Sequence, residues 1–370
     1  MTPLQPSAVE TPAVVIRMDA VRSNLRKMAE VARSNGVALR PHAKTHKLPE
    51  LARLQLAFGA AGITVAKIAE AEVMAEGGVT DLFVAYPLVT DTKIERAMRL
   101  AARLDNLILG VDSLEGAARL SAAAGAAGRI QNVRLEIDTG LRRTGVGPDD
   151  AIGLAKRIAG LEHLRLTGIY TYRGAMLDGR PTRDLQAAGT EEGRMMAALA
   201  QAMRAEGLPI ADVSVGSTPT APFCAAVPGV TEIRPGTYIF HDRMQVALGV
   251  CGPQACAAHV EVTVVSRPAP DRIVIDGGSK TFATDVQPHQ EPALLEGFGR
   301  IVEAPDAVFE RMSEEHGVVR VAPHHPFRAG DRLRVVPNHI CSTLNLHNHV
   351  YLLDTSGVRK VPVAARGMLE

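Results

Sequence analysis

The sequence predicts an α/β protein: a (β/α)8 TIM-type barrel followed by a smaller, mostly β C-terminal domain. Two rhythms and the length carry that expectation. From about Pro12 to Phe240, short runs of Val, Ile and Leu alternate with longer amphipathic stretches, the pattern of repeated βα units. After about Gln245 the segments become short and β-rich, joined by Pro, Gly and Asp turns. The 370 residues exceed the roughly 250–300 at which a single core stops growing. Two domains are therefore expected, at 12–243 and 244–370, with residues 1–11 packing on the second.

In order, the strands read as 13–16, 37–40, 63–66, 82–85, 107–111, 133–137, 166–170 and 213–215, with a last short run at 230–233. Helices are expected at 19–34, 48–58, 68–76, 91–104, 113–126, 149–158 and 190–206. Several open on a capping type of residue, such as Asp19, Asp91 and Ser113. Eight or so repeats fit a closed barrel better than an open sheet, with a doubly wound fold as the alternative. The later strands read as 259–266, 272–275, 317–321, 332–336, 350–353 and 360–363.

Composition narrows the partners. Aromatic residues are only 4% and Trp is absent, so stacking platforms for single-stranded nucleic acid are scarce. The net charge of +1, from 41 basic and 40 acidic residues, leaves no footprint for nucleic acid or an anionic membrane. No segment approaches the roughly 20 apolar residues of a membrane span, and the first residues lack a signal-peptide pattern. The four cysteines are too irregularly spaced for a disulfide framework, which points to free thiols and a cytoplasmic location. A small-molecule partner is the default.

The chemistry concentrates in Arg40-Pro41-His42-Ala43-Lys44-Thr45-His46-Lys47. If the strand continues past Arg40, then Arg40, His42, Lys44 and His46 share one face, at the strand end where barrel active sites lie. Neighbouring positive charge would lower the ammonium pKa of Lys44, as a Schiff-base lysine requires. A basic surface loop is the competing reading. Gly216-Ser217-Thr218-Pro219-Thr220 follows a strand and suits a phosphate nest of N–H and O–H donors, or an ordinary turn. His339-Ile340-Cys341 puts an imidazole and a thiol on the same side of an extended chain, as two metal ligands or as a buried structural pair.

Arg40–Lys47 resembles the cofactor-lysine motif of the D-threonine aldolase and D-serine dehydratase family, which shares the barrel of alanine racemase. The resemblance extends from Thr11-Pro12, through Asp138-Thr139-Gly140 and Gly145-Val146, to Ala365-Arg366-Gly367. It implies pyridoxal 5'-phosphate on Lys44, with His42 as a further catalytic candidate. By the same resemblance Gly236 and Thr237, in Arg234-Pro235-Gly236-Thr237-Tyr238, join the phosphate donors. Arg234 and Arg143 are candidates for the pyridine ring, and Tyr172 lies near the cofactor. His339 and Cys341 match a zinc pair of the dehydratases, whereas the best-known aldolases carry His and Asp. The thiolate favours zinc over manganese or magnesium. Glu315-His316-Gly317 matches a segment near the substrate, reaching the active site of a partner subunit in a homodimer. Asp178 stands where well-known aldolases carry a histidine base, which leaves Asp178, another histidine or metal-bound solvent for that role.

The resemblance implies a lyase of D-3-hydroxy amino acids. Ser313–Val321, Asn345-Leu346-His347 and Arg366-Gly367 favour a D-threonine aldolase, which is placed first. His339-x-Cys341, Ala85-Tyr86-Pro87-Leu88 and the 216–220 loop favour a D-serine or D-3-hydroxyaspartate dehydratase, the alternative. An amino-acid racemase and a non-catalytic cofactor carrier are more remote.

Overall fold

A computed structural model describes residues 9–370; of the N-terminal segment expected to pack on the second domain, residues 1–8 lie outside that range. The chain opens with β1 (Ala13–Arg17) and α1 (Met18–Ser34). The βα series follows as β2 (Ala38–Leu39), α2 (Pro49–Ala57), β3 (Ile63–Val65), α3 (Ile68–Glu76), β4 (Asp81–Pro87) and α4 (Asp91–Ala101). It continues with β5 (Asn106–Val111), α5 (Leu114–Ala126), β6 (Gln131–Glu136), α6 (Pro148–Ala159) and β7 (Leu164–Tyr170). A hairpin of β8 (Met176–Leu177) and β9 (Arg180–Pro181) precedes α7 (Leu185–Ala205), β10 (Asp212–Val215), α8 (Ala221–Ala225) and β11 (Glu232–Ile233).

Eight of these strands form one parallel sheet in the order β2-β11-β10-β7-β6-β5-β4-β3. A parallel bridge between His42 and Thr64 joins its two ends, with Thr64 N donating to Pro41 O at 2.8 Å. The sheet is thus the closed barrel that the repeats predict, and the doubly wound alternative falls away. Helix starts follow local chemistry: Ser113 Oγ accepts from Gly116 N, and an Asp184 carboxylate accepts from Ala187 N. That cap starts α7 at Leu185, five residues before the expected Thr190.

A charged ladder fills part of the barrel interior. Glu232 Oε1 accepts from Arg134 Nη1 at 2.6 Å and from Ser214 Oγ at 2.5 Å, while Oε2 accepts from Arg40 Nε at 2.8 Å. Burial alone would raise the Glu232 pKa, but Arg134 and Arg40 outweigh it and pull it down to about 2. A carboxylate depressed in the fold stabilises it above its unfolded value of about 4.5, and that contribution is lost as pH falls toward about 2. Glu232→Gln removes the carboxylate that Arg134 and Arg40 share and leaves them only Asp212 and Asp81, with an expected cost of about 3 kcal/mol, the low end for breaking a buried pair. Urea unfolding of the variant at neutral pH checks this; a change within ~0.5 kcal/mol would show the ladder to be incidental.

The second part of the chain contributes α9 (Arg243–Ala247), β12 (Ala258–Ala269), β13 (Arg272–Ile275), β14 (Gly299–Ile301), β15 (Val308–Met312) and β16 (Gly317–Arg320). It ends with β17 (Arg332–Pro337), α10 (Ile340–Asn345), β18 (His349–Asp354) and β19 (Gly357–Pro362). The sheet runs β15-β16-β13-β12-β1-β18-β19, with β17 also on β12 and β14 on β17. Two compact units result. One holds the described residues up to Arg26, Thr45–Lys47 and Thr237–Arg366; the other holds Lys27–Lys44, Leu48–Gly236 and Gly367–Glu370.

Two expectations change here. Residues 13–16, read as the first strand of the βα series, form β1 in the second sheet, antiparallel to β12 and parallel to β18. Their all-apolar run satisfies any strand buried on both faces, so periodicity could not choose the sheet. The strand also does not run on past Arg40. Pro41 has no N–H to offer, residues Ala43–Thr45 form a 3-10 turn, and Lys47 is left-handed with φ 55°. Arg40, His42, Lys44 and His46 therefore do not share a strand face, and Arg40 is committed to Glu232 and Asp81.

Candidate active site

In the barrel unit, Lys44 follows the closing bridge at His42, at the carboxyl end of β2. It is half-buried, and its Nζ lies 5.3 Å from the centroid of the Tyr172 ring. Tyr172 follows β7, and the guanidinium of exposed Arg143 lies 5.4 Å from the same ring. The loop carrying Arg143 is fixed from both ends. Asp138 Oδ1 accepts from Gly140 N and Arg142 N, Thr144 Oγ1 donates to Glu136, and Asp138 N donates to Val146 O. At Gly145, with φ 98°, a Cβ would fall 2.8 Å from Asp138 N, so only glycine closes this loop.

The 216–220 loop follows β10. Gly216 has φ 86°, Ser217 N donates to Thr220 Oγ1 at 3.0 Å, and the Ser217 and Thr218 side chains are buried. Behind the loop, fully buried Glu192 accepts from Gly216 N and Cys224 Sγ; burial raises its pKa, against the pull of Arg173. Arg234 Nη1 donates to Ser214 Oγ at 2.6 Å and Nη2 to Thr171 O at 2.5 Å, with its guanidinium 5.3 Å from the Tyr170 ring centroid. Burial lowers its pKa, against Glu232. A half-buried amine, an adjacent aromatic ring, a glycine-led hydroxyl loop and a fixed guanidinium match what an aldehyde–phosphate cofactor requires.

Asp178 occupies a turn. With Gly179 it forms the positive-φ turn of the β8–β9 hairpin and is exposed. An Asp-Gly pair is the sequence signal for such a turn, so its residue type is explained by backbone geometry.

The β-rich unit holds the imidazole and thiol. His339 is the N-cap residue of α10 and Cys341 lies in its first turn, so the pair sits on a helix start and not on extended chain. The helix is anchored from afar, because buried Asp242 accepts from Ile340 N at 3.1 Å. His339 Nδ1 lies 2.5 Å from Asp285 Oδ2, and Ser342 Oγ donates to the same oxygen at 2.8 Å. That contact leaves Nε2 as the ring nitrogen available to another ligand. The Cys341 thiol donates to Thr45 Oγ1 at 3.3 Å and lies 3.4 Å from Thr237 Oγ1. Thr237, a phosphate donor by the resemblance, brings its hydroxyl to the sulfur. Burial raises the Cys341 pKa, but His339 outweighs it and holds the thiol below its ordinary range. Burial lowers that of His339, but Cys341 and Asp285 outweigh it.

Among the described residues, no group of three or more His, Cys, Asp or Glu is placed to hold a metal. A soft two-ligand site with open positions fits His339 and Cys341. Asp285, which sequence reasoning missed, sits behind the imidazole as an outer-shell carboxylate does. Tyr238 is buried in a 3-10 turn, Gly236 precedes it in the barrel unit, and His316 is exposed on the turn between β15 and β16.

Residues 16–244 match the family described as Alanine racemase, N-terminal domain, and residues 257–353 match the Putative serine dehydratase domain. The chain belongs to the D-threonine aldolase and D-serine dehydratase family. It is 33% identical over 374 residues to a D-threonine aldolase of Arthrobacter sp, covering 99% of this chain and 96% of that one. To the D-threo-3-hydroxyaspartate dehydratase of Delftia sp. (strain HT23) it is 35% identical over 353 residues, covering 90% and 92%. Solved structures of D-threo-3-hydroxyaspartate dehydratase include a His→Ala variant and, two positions on, a Cys→Ala variant in the metal-free form. The latter superposes with a TM-score of 0.89 at 33% identity, covering 97% of this chain and 98% of that one. Members of this aldolase and dehydratase family are lyases, of the fold type III class of pyridoxal-phosphate enzymes.

Proposed function

We propose that this protein is a pyridoxal-phosphate- and divalent-metal-dependent dehydratase of D-3-hydroxy amino acids. The carrying observation is the imidazole–thiol pair His339 and Cys341 on the start of α10, with Asp285 behind the imidazole. The sequence alone ranks the aldolase first. The soft ligand pair, which suits zinc and matches the pair of the dehydratases, carries the dehydratase ahead of it in this proposal.

Gly216, Ser217 and Thr218 would hold the cofactor phosphate, Lys44 its aldehyde carbon and Arg234 the ring. When bound, the cofactor supplies an electron sink for negative charge at Cα. His339 and Cys341 would hold a zinc ion, which would supply Lewis acidity for a hydroxyl leaving group. Lys44 Nζ acts as the base that takes the Cα proton. Arg234, already donating to Ser214 and Thr171 O, cannot readily give up a proton and so tempers the sink. Asp285 keeps the imidazole oriented, and Asp285→Asn is expected to weaken zinc binding about 10–100-fold. Competition with a zinc-binding dye measures it; unchanged affinity would remove Asp285 from the site. His316 is assigned to the substrate of a partner subunit in a homodimer.

The deciding experiment incubates the holoenzyme with D-serine, D-threo-3-hydroxyaspartate and D-threonine, with and without zinc or manganese. A 2-oxo acid plus ammonia supports the dehydratase. Glycine plus an aldehyde overturns it in favour of the aldolase, the reading favoured by the Arthrobacter match over 99% of the chain. If no substrate is consumed and the bound-cofactor absorbance persists, the carrier reading replaces both.

A further inference from the structure

In the β-rich unit, β1, β12, β14 and β17 border a cavity of about 260 Å³ lined by Arg17, His259, Arg300, Val302, Arg334 and Cys256, among others. No Asp or Glu lines it. The registers explain the clustering. Val260 pairs with Val335, so His259 faces Val336, and Arg300 also faces Val336 from the other side. Side chains two apart on a strand share a face, so Arg334, Arg300 and His259 converge on one surface of the sheet.

Of the three guanidinium groups, only that of Arg334 has a carboxylate partner among the described residues. Arg17 Nη2 donates to Gln254 O at 2.7 Å, which fixes the guanidinium without neutralising it. Arg334 Nε donates to Glu303 at 2.6 Å. The Arg300 side chain has no hydrogen bond or ion pair among the described residues. The His259 side chain is 8% exposed, and its Nε2 has no hydrogen-bond partner. The nearest carboxylate oxygen, Glu261 Oε1, stands 3.7 Å away, and Glu261 Oε2 already accepts from Arg332 at 2.5 Å. Like charges gathered on one sheet face repel, and a buried donor or acceptor without a partner is costly. Both defects are relieved by one small oxyanion, which guanidinium groups bind in paired fashion.

We infer that this cavity is an anion site of the β-rich unit, independent of the lysine site, that takes inorganic phosphate or a phosphate monoester. The site presents three guanidinium groups, of which Arg334 is paired with Glu303, and one imidazole, with no carboxylate among its lining residues. Its occupant neutralises Arg300 and gives His259 Nε2 its missing partner.

The test titrates inorganic phosphate into the holoenzyme calorimetrically at constant ionic strength, while cofactor absorbance is followed. One saturable site is expected, with absorbance unchanged. Arg300→Gln should weaken it about tenfold or more, the scale of a lost charged hydrogen bond. Val302→Glu sets a carboxylate at the half-exposed rim without disturbing a buried group, and should abolish binding. Both variants should keep basal turnover, which confirms their folding. Absence of saturable heat, equal affinity in both variants, or binding only as cofactor absorbance is lost would overturn the inference. The last result would assign the phosphate to the 216–220 loop.

Discussion

Lys44→Ala will abolish turnover and, with it, the absorbance of cofactor held covalently by the protein. Loss of a positioned base alone costs about 10²–10⁴-fold in rate, and loss of the covalent anchor adds to that. Lys44 is half-buried and its side-chain nitrogen lies over the Tyr172 ring, so the fold should survive. Circular dichroism and unfolding curves should match the parent protein. Lys47 is the internal control: its Nζ donates to Ala365 O at 3.4 Å within a buried setting, so Lys47→Ala should lower stability yet keep the absorbance. Retained covalent absorbance in Lys44→Ala, or its loss only in Lys47→Ala, would move the cofactor anchor to the other lysine.

The second large effect is expected at Cys341. Cys341→Ala removes one of two ligands, so zinc affinity should fall by more than the ~10–100-fold typical of an outer-shell loss. Dehydration should fall with it while the cofactor absorbance stays. The thiol meets only hydroxyls of Thr45 and Thr237 beside its imidazole partner, so deletion should disturb packing little. Metal content by atomic absorption and turnover with added zinc are the readouts. Cys341→Asp should shift metal preference from zinc toward manganese, since a carboxylate is the harder ligand. Full zinc occupancy and activity in Cys341→Ala would sink the metal assignment.

The repeats of the barrel were legible because each strand is a short apolar run followed by an amphipathic helix, and local pattern fixes both. What escaped depends on partners far along the chain. Asp285 lies in an aperiodic Pro- and Gly-punctuated stretch, and its contact with His339 spans 54 residues. The start of α10 is fixed by Asp242, 98 residues earlier, whereas Ile340-Cys341-Ser342-Thr343 alone has weak helix propensity. β14 has three residues, and β15 reads Val-Phe-Glu-Arg-Met with an irregular register, too little periodicity to declare a strand. Glu232 and Ser214 were visible only as strand residues, because the barrel brings Arg40, Arg134 and Arg234 to them from distant positions. Asp178 is the opposite case: its turn role is readable locally in the Asp-Gly pair.

The membership of β1 in the second sheet has a practical consequence for anyone dissecting the gene. A fragment stopped near residue 244, where the first family match ends, would retain Val14 and Ile16, both fully enclosed in the whole chain. It would lack β12 and β18, the two strands that hydrogen-bond this segment. Such a fragment carries a bare apolar ribbon with unpaired peptide groups along both edges, a template for intermolecular pairing. Its aggregation would therefore say nothing about whether the barrel can fold, and the cleaner dissection removes residues before Met18 as well.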